Sequence, residues 1–449
     1  MAILSQILFV LALIFAIYFF IRNVKKLVRN IKLGKTINRR DQPSKRFKNM
    51  AMVALGQSKM VKRPIAGILH IVVYLGFVII NIEMIEIVID GIFGTHRVLS
   101  FMGGFYDFLI GSFEILALLV LVGVIVFWIR RNVIRLKRFW ANEMTSWPKN
   151  DANNILYFEM ILMVLFLTMN AADYQLQLVG ADHYANEAGI IGAFPVSQFL
   201  LPLIDGLSIS SLIFIERTAW WLHILGVLFF LNYLYYSKHL HILLAFPNTY
   251  FAKLQPQGEF NNLEAVKNEV ALMMDPNADP FAVPADDASA ESAAIPDKFG
   301  ASDVQDLNWV QLLNSYTCTE CGRCTAECPA NQTGKKLSPR KIMMDTRDRL
   351  EEVGKNIDKN GKFENDNKQL LNDYITKEEL WACTTCNACV EACPIGIDPL
   401  SIIMDMRRYL VMEESAAPNE LNIAMGNIEN NGAPWPYNQM DRMNWSQEK

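Results

Sequence analysis

All eight cysteines of this 449-residue chain fall in two runs of one pattern, CTECGRCTAECP (318 to 329) and CTTCNACVEACP (383 to 394). Each reads C-x-x-C-x-x-C-x-x-x-C-P. Three thiolates on such a tight loop can take three iron corners of a cubane, and the fourth lies too far along to close the same one. In two-cluster ferredoxins that fourth cysteine ligates the other cluster. The rule assigns one [4Fe-4S] cluster to Cys318, Cys321, Cys324 and Cys393, and the second to Cys383, Cys386, Cys389 and Cys328. Pro329 and Pro394 turn the chain away. Structural zinc also uses paired cysteines, but its sites show separated C-x-x-C pairs rather than two full four-cysteine runs. Two clusters that exchange a ligand must lie close together, which describes a path for electrons. Neither offers an open iron for substrate chemistry. Arg323 and Lys335 near the first run, and Glu391 and Asp398 near the second, are charges that could separate the two potentials, or ordinary surface residues.

The six histidines are the next chemically capable residues. His70 and His241 fall near the same end of two apolar stretches. Neutral imidazoles at matched depth can clamp a haem from both sides. His223 and His241 are eighteen residues apart; in an unbroken helix they share a face about 27 Å apart along the axis. His239 then points to roughly the opposite side, toward headgroups or the cluster region. His96 and His183 fall in loops and read as solvated. Glu83, Glu86, Asp107 and Glu114 gather toward the other end of the spans, where a carboxylate is costly unless it meets water or a partner. With His223 they could exchange protons with a quinone headgroup. Trp220, Trp221 and the Tyr233, Tyr235, Tyr236 group read as an interfacial aromatic belt.

The elements that must hold these residues are helical. Hydrophobic residues make up 52% of the chain, above the usual soluble range. Five apolar stretches, near 2–21, 65–89, 108–129, 154–173 and 217–246, are each long enough to span a bilayer. The first lacks the charged leader and cleavage site of a secretory signal and so is expected to stay as a span. Fourteen Lys or Arg against one acid occur between Arg22 and Arg63, and RRNVIRLKR (130 to 138) repeats the bias after the third span. By the positive-inside rule the N-terminus is outside and both basic loops are in the cytoplasm, as is everything after the fifth span. A reducing compartment suits the thiols. Residues 180–216 form a longer outer loop expected to lie on the membrane surface. A net charge of −4 gives no argument for nucleic acid. The expected fold class is an all-α membrane protein, with a five-helix bundle over 1–250, an acidic Ala/Pro linker over 251–306 and a mostly helical two-cluster domain over 307–449. LNWVQLLNSYT, SPRKIMMDTRDRLEEVG and DPLSIIMDMRRYLVMEE carry helical periodicity around the cysteine runs.

These residues resemble a known family. LHILGVLFFLNYLYYSKHLHILLAFPN (222 to 248) is similar to the cytochrome b membrane subunit of respiratory nitrate reductase and of membrane-bound heterodisulfide reductase. The resemblance implies that His241, four residues after Ser237, and His70 ligate an inner haem b. It implies His223 for an outer haem, whose second ligand position is Ile80 in this chain, so one haem is expected rather than two. The cytoplasmic part resembles heterodisulfide reductase-like two-cluster domains, including NIENNGAPWPYNQMDRMNW (427 to 445), which looks like the lead into their cysteine-rich repeats. No C-C-G repeat occurs in the sequence, so a separate cysteine-rich subunit is one expected partner. An electron-transfer flavoprotein or another dehydrogenase is the alternative donor. The resemblance implies an electron-transfer, quinone-reactive subunit in the bacterial cytoplasmic membrane, with a haem-free membrane anchor as the rival reading.

Overall fold

The computed structural model describes residues 2–184, 189–276 and 298–447. It is helical, with no strand among the described residues beyond two isolated bridges. Among the described residues, five helices are long and apolar enough to cross a membrane: α1 (Ala2–Ile31), α2 (Pro64–Phe93), α3 (Gly104–Asn132), α4 (Trp147–Leu178) and α5 (Ile209–Tyr233). Pro64 starts α2, where its missing N–H has no intrahelical partner to lose. Gly94 ends it at φ 70°, a backbone that a side chain resists. Phe9, Ile80, Tyr106, Ile110, Phe166 and Trp220 fill the bundle core. The outward face of α1, with Ile3, Leu4, Leu11 and Phe15 exposed, is apolar and suits lipid.

Two helices depart from the bounds expected from apolar length. α1 continues ten residues past 21, because its basic last turns leave the apolar layer and dock on the C-terminal part. Lys26 lies 2.6 Å from Asp358, and Arg29 Nη2 donates to the Gly354 carbonyl at 3.0 Å. Asn30 Nδ2 donates to the Tyr316 hydroxyl at 3.0 Å. The fifth span, expected to run to 246, stops early. Leu234–Tyr236 tighten into a 3-10 turn and Ser237 is extended (φ −113°, ψ 147°). The Lys238 N–H, which would continue the helix, donates instead to Asp151 Oδ2 of α4 at 3.0 Å, and Ser237 Oγ accepts from the His239 N–H. A new helix, α6 (His241–Tyr250), follows. The five-turn relation between His223 and His241 therefore does not hold.

The segment expected to lie on the membrane surface packs onto the end of the bundle where it is described. Glu114 Oε2 accepts the backbone N–H groups of Val196 and Ser197 at 2.9 and 3.0 Å, and Asp107 accepts that of Gly192 at 2.8 Å. Trp220 is buried 5.5 Å from Phe9, a core residue and not part of a belt.

The C-terminal part is built on α7 (Trp309–Thr317), α8 (Pro339–Asn360) and α9 (Pro399–Met412). Each starts on a side-chain cap: Asn308, Ser338 and Asp398 accept first-turn N–H groups, and Pro follows the last two. Arg349, fully buried in α8, ties Asp303 and Asp366 to the same core. This part seats on one end of the spans, where α1 ends and α2 begins. A backbone pair joins Lys35 to Leu307 and Trp309, and Gly34 allows it, since a Cβ there would sit 2.7 Å from Trp309 N.

Candidate functional site

The two cysteine loops share an unusual backbone. Glu320 and Gly322 flank Cys321 with φ of 54° and 71°, and Thr385 and Asn387 flank Cys386 with φ of 56° and 60°. Left-handed residues in alternation turn successive N–H groups inward, a concave shape that favours negative charge. Three of these four positions are not glycine, at a cost of roughly 1–3 kcal/mol each, which persists only where the surroundings fix it. A short helix follows each loop, Arg323–Ala326 and Ala388–Ala392. The fourth cysteine and its proline come next.

The fold brings the sulfurs together across the runs. A pocket is lined by Cys318, Cys321, Cys324 and Cys393. Cys383 and Cys389 each lie within electrostatic reach of Cys328. Cys389 also reaches Cys324, so the two groups are neighbours. Burial pushes the Cys318 thiol up to about 12 and the Cys393 thiol to about 11, with neighbouring thiols adding to the shift. Iron would have to displace those protons on binding. Backbone N–H groups point at sulfur, Thr385 to Cys383 at 3.4 Å and Ile397 to Cys393 at 3.3 Å. Such contacts bear on cluster potential. Cys386 alone is exposed, so the second group reaches the surface. Among the described residues, no three His, Cys, Asp or Glu converge tightly enough to hold a single metal ion. Corners spread around a shared pocket are what a cubane requires.

Of the charges near the runs, Arg323 is buried, with Nη2 2.9 Å from Met60 Sδ. Asp398 caps α9, and Glu391 pairs with Lys62 across the joint with the membrane helices. Lys335 is exposed. Arg407 went unnoticed in the sequence; it stacks on Trp381 and donates to the Leu380 and Cys383 carbonyls beside the second group.

His70 and His241 face each other with ring centroids 6.4 Å apart. Two imidazoles flanking one iron at about 2 Å per bond place their centroids roughly 6 Å apart. His241 Nδ1 lies 3.1 Å from the Lys238 carbonyl, which can only accept, so Nδ1 carries the proton and Nε2 is left free to ligate. His70 Nδ1 is buried with no partner. The pair fits a haem axial set. His239, expected on the opposite side, is instead 5.4 Å from His241 and 5.2 Å from Phe230, with Glu159 Oε1 at 3.6 Å. The helix break at Ser237 rotates it inward. His223 is buried, its Nδ1 3.1 Å from the Leu162 carbonyl and its ring 6.0 Å from that of Phe166. Among the described residues no histidine ring pairs with it, and Ile80 packs in the bundle core.

At the other end of the bundle a cavity of about 390 Å³ is lined by Glu83, His96, Arg97, Asp173, Glu216 and Trp220 among others. Arg97, in the loop after α2, donates to Asp173 Oδ2 at 2.6 Å and to the Tyr106 hydroxyl at 3.1 Å. His96, expected to be solvated, lies 3.3 Å from Asp173. The carboxylates found by sequence divide here. Glu114 and Asp107 hold the loop between α4 and α5, and Glu86 accepts from Leu99 N and Tyr106. Glu83 is buried with Oε2 unpartnered and facing this cavity.

Residues 317–397 match the family model described as a 4Fe-4S dicluster domain. The chain is thus a multi-helix protein carrying such a domain, and its relatives are iron-sulfur oxidoreductases and heterodisulfide reductase subunits. It is 30% identical over 480 aligned residues to the Probable iron-sulfur-binding oxidoreductase FadF of Bacillus subtilis, covering 99% of this chain and 61% of the relative. It is 26% identical to the EtfAB:quinone oxidoreductase of Syntrophomonas wolfei, over 92% of this chain and 55% of that one. A Probable membrane-anchored ferredoxin of Chromohalobacter salexigens is 33% identical over 33% of this chain and 24% of its own. The chain therefore spans about 61% and 55% of the lengths of the first two. No solved structure matches. The apolar helices and the anchored-ferredoxin relative are those of a multi-pass membrane protein.

Proposed function

We propose that the chain conducts electrons between a cytoplasmic donor and the quinone pool. In this reading one [4Fe-4S] cluster is bound by Cys318, Cys321, Cys324 and Cys393, and the other by Cys383, Cys386, Cys389 and Cys328. His70 and His241 hold one haem b, which when bound supplies one-electron exchange inside the membrane. The organisation is a membrane unit over 1–250, a connecting segment over 251–306 whose last residues, Ala301 and Val304 among them, pack into the C-terminal core, and a cluster unit over 307–449. It sits in the bacterial cytoplasmic membrane with the N-terminus outside and the clusters inside.

The observation that carries the reading is the joint between the two sites. Glu320, between Cys318 and Cys321, is ion-paired to Lys238, three residues before His241. Arg323, beside Cys324, lies within electrostatic reach of His70. The first thiol group therefore lies over the histidine pair, and the second, with exposed Cys386, faces outward to a donor. By the name of the Syntrophomonas relative, that donor is an electron-transfer flavoprotein. A quinone becomes a quinol by taking up an electron pair and a proton pair. Arg97 and His96 could donate to its carbonyl oxygens, and Glu83 could exchange a proton with it. The protein's own work is to fix these groups and exclude water from the histidine pair.

The test is metal analysis with a reduced-minus-oxidised spectrum of the purified protein. Expected are about nine irons per chain, about eight of them with matching sulfide in the clusters and one in the haem, and a haem α-band that vanishes in His70→Ala and in His241→Ala. Zinc in place of iron sinks the cluster assignment. About eight irons without the α-band leave a haem-free anchor presenting a two-cluster domain.

A further inference from the structure

Metal ligation does not require the buried charges at the joint between the first cysteine loop and the membrane helices. Glu320 is 2% exposed, and its carboxylate oxygens are taken separately, Oε2 by the Lys238 ammonium and Oε1 by Arg347 Nη1 at 2.7 Å. Lys238 is itself about nine-tenths buried. Its Nζ also donates to the Pro148 carbonyl at 2.7 Å, and its backbone N–H to Asp151, whose other oxygen accepts from the Tyr233 hydroxyl at 2.7 Å. The Lys238 carbonyl accepts from His241 Nδ1. One residue thus has its side chain on the cysteine loop and its main chain on the imidazole.

A purely adhesive role would be met as well by apolar residues, since a buried ion pair holds two surfaces no better than a packed hydrophobic contact. Its distinctive property is direction. The ammonium meets two fixed acceptors, Glu320 Oε2 and the Pro148 carbonyl, and the loop it grips contains a left-handed, non-glycine residue that needs outside contacts to keep its shape. The Lys238 backbone, pinned by Asp151, in turn fixes the acceptor that sets the imidazole's rotation.

We propose that Lys238 and Glu320 form a positioning pair that locks the first cysteine loop and the His241 ring in one mutual geometry. The assignment rests on the reading above for what the two sites hold, but the mechanical coupling can be tested without it. In Lys238→Met, amide hydrogen exchange in 318–324 rises by about tenfold or more, and in Glu320→Gln it rises in 237–241, because each site loses the partner that orders it. The double variant is no worse than the more affected single one. Lys238→Arg, which keeps a buried cation, restores much of the protection. With cofactors bound, Lys238→Met and Glu320→Gln keep their iron and haem content but change the low-spin haem g-values, which report imidazole orientation. Unchanged exchange across the joint, or additive effects in the double variant, overturns the proposal. So does loss of both cofactors in Lys238→Arg and Glu320→Gln alike, which marks a merely structural pair. If the wild-type protein holds no haem, the function fails while the exchange measurements still decide the coupling.

Discussion

Gly354 lies in the middle of α8, where alanine would ordinarily stabilise the helix by about 1 kcal/mol. Here the opposite is expected. A Cβ at this position would sit 2.5 Å from Asn30 Nδ2 and 2.7 Å from its Oδ1, in the contact where α1 meets the C-terminal part. Asn30 is almost fully buried and gives its amide to Tyr316. It must move to admit a methyl group. Overpacking costs about 1–3 kcal/mol, and a buried hydroxyl left without its partner costs another 1–3 or so. After the helical gain is subtracted, the midrange is roughly 3 kcal/mol, about a hundredfold in the docking equilibrium. The assay is hydrogen exchange over 22–31 together with protease cleavage between α1 and the helix Pro43–Met50, in Gly354→Ala and again in an Asn30→Ala background. There the obstructing amide is gone, and the same change should be neutral or favourable by up to about 1 kcal/mol. Equal costs in both backgrounds, or none in the wild type, would refute the docking of α1 on α8.

Three further outcomes are expected. Cys393→Ser should abolish the same cluster signal as Cys321→Ser, and Cys328→Ser the same one as Cys386→Ser; electron paramagnetic resonance of the four reduced variants reads this, and pairing within runs instead would refute the crossed ligation. In the iron-free protein, maleimide at pH 7 should label exposed Cys386 first. Labelling of Cys318 and Cys393 should grow only as pH climbs toward about 12 and about 11, because burial holds their protons; peptide mapping by mass spectrometry follows it. Arg97→Met should destabilise the bundle by about 3–5 kcal/mol by stranding Asp173, and adding Asp173→Leu should recover most of that, as read from thermal unfolding in detergent.

The residues legible in the sequence were those whose chemistry is written locally. Cysteine spacing and span length each need only one continuous stretch of neighbouring positions. The opposition of His70 and His241 was also reachable, because depth in a bilayer turns sequence position into height. What stayed hidden depended on approach between distant segments. Nothing in the string LYYSKHLH announces a helix break, since it has no proline or glycine; the break comes from Asp151 on another helix taking the Lys238 N–H. That hidden contact moved His239 inward and removed the five-turn relation of His223 to His241. Glu320, Lys238, Arg97 and Glu159 likewise look like ordinary surface charges until their partners are placed. A charge inside a cysteine run and a lone arginine just past a span were the available hints.

The first helix runs without interruption from the apolar layer into the core beneath the cysteine loops, and Arg340 and Glu143 clasp the far side with a fully buried guanidinium 2.7 Å from its carboxylate. Gripped at both flanks, the cysteine-bearing half has no freedom to swing like a tethered head between donor and membrane. In the proposed electron path the internal hops then have fixed lengths, and the diffusive events left are the visit of a donor protein to the face around Cys386 and the exchange of quinone in the bilayer. Turnover should then respond to the donor's concentration and to ionic strength, while solvent viscosity leaves the intramolecular steps unchanged.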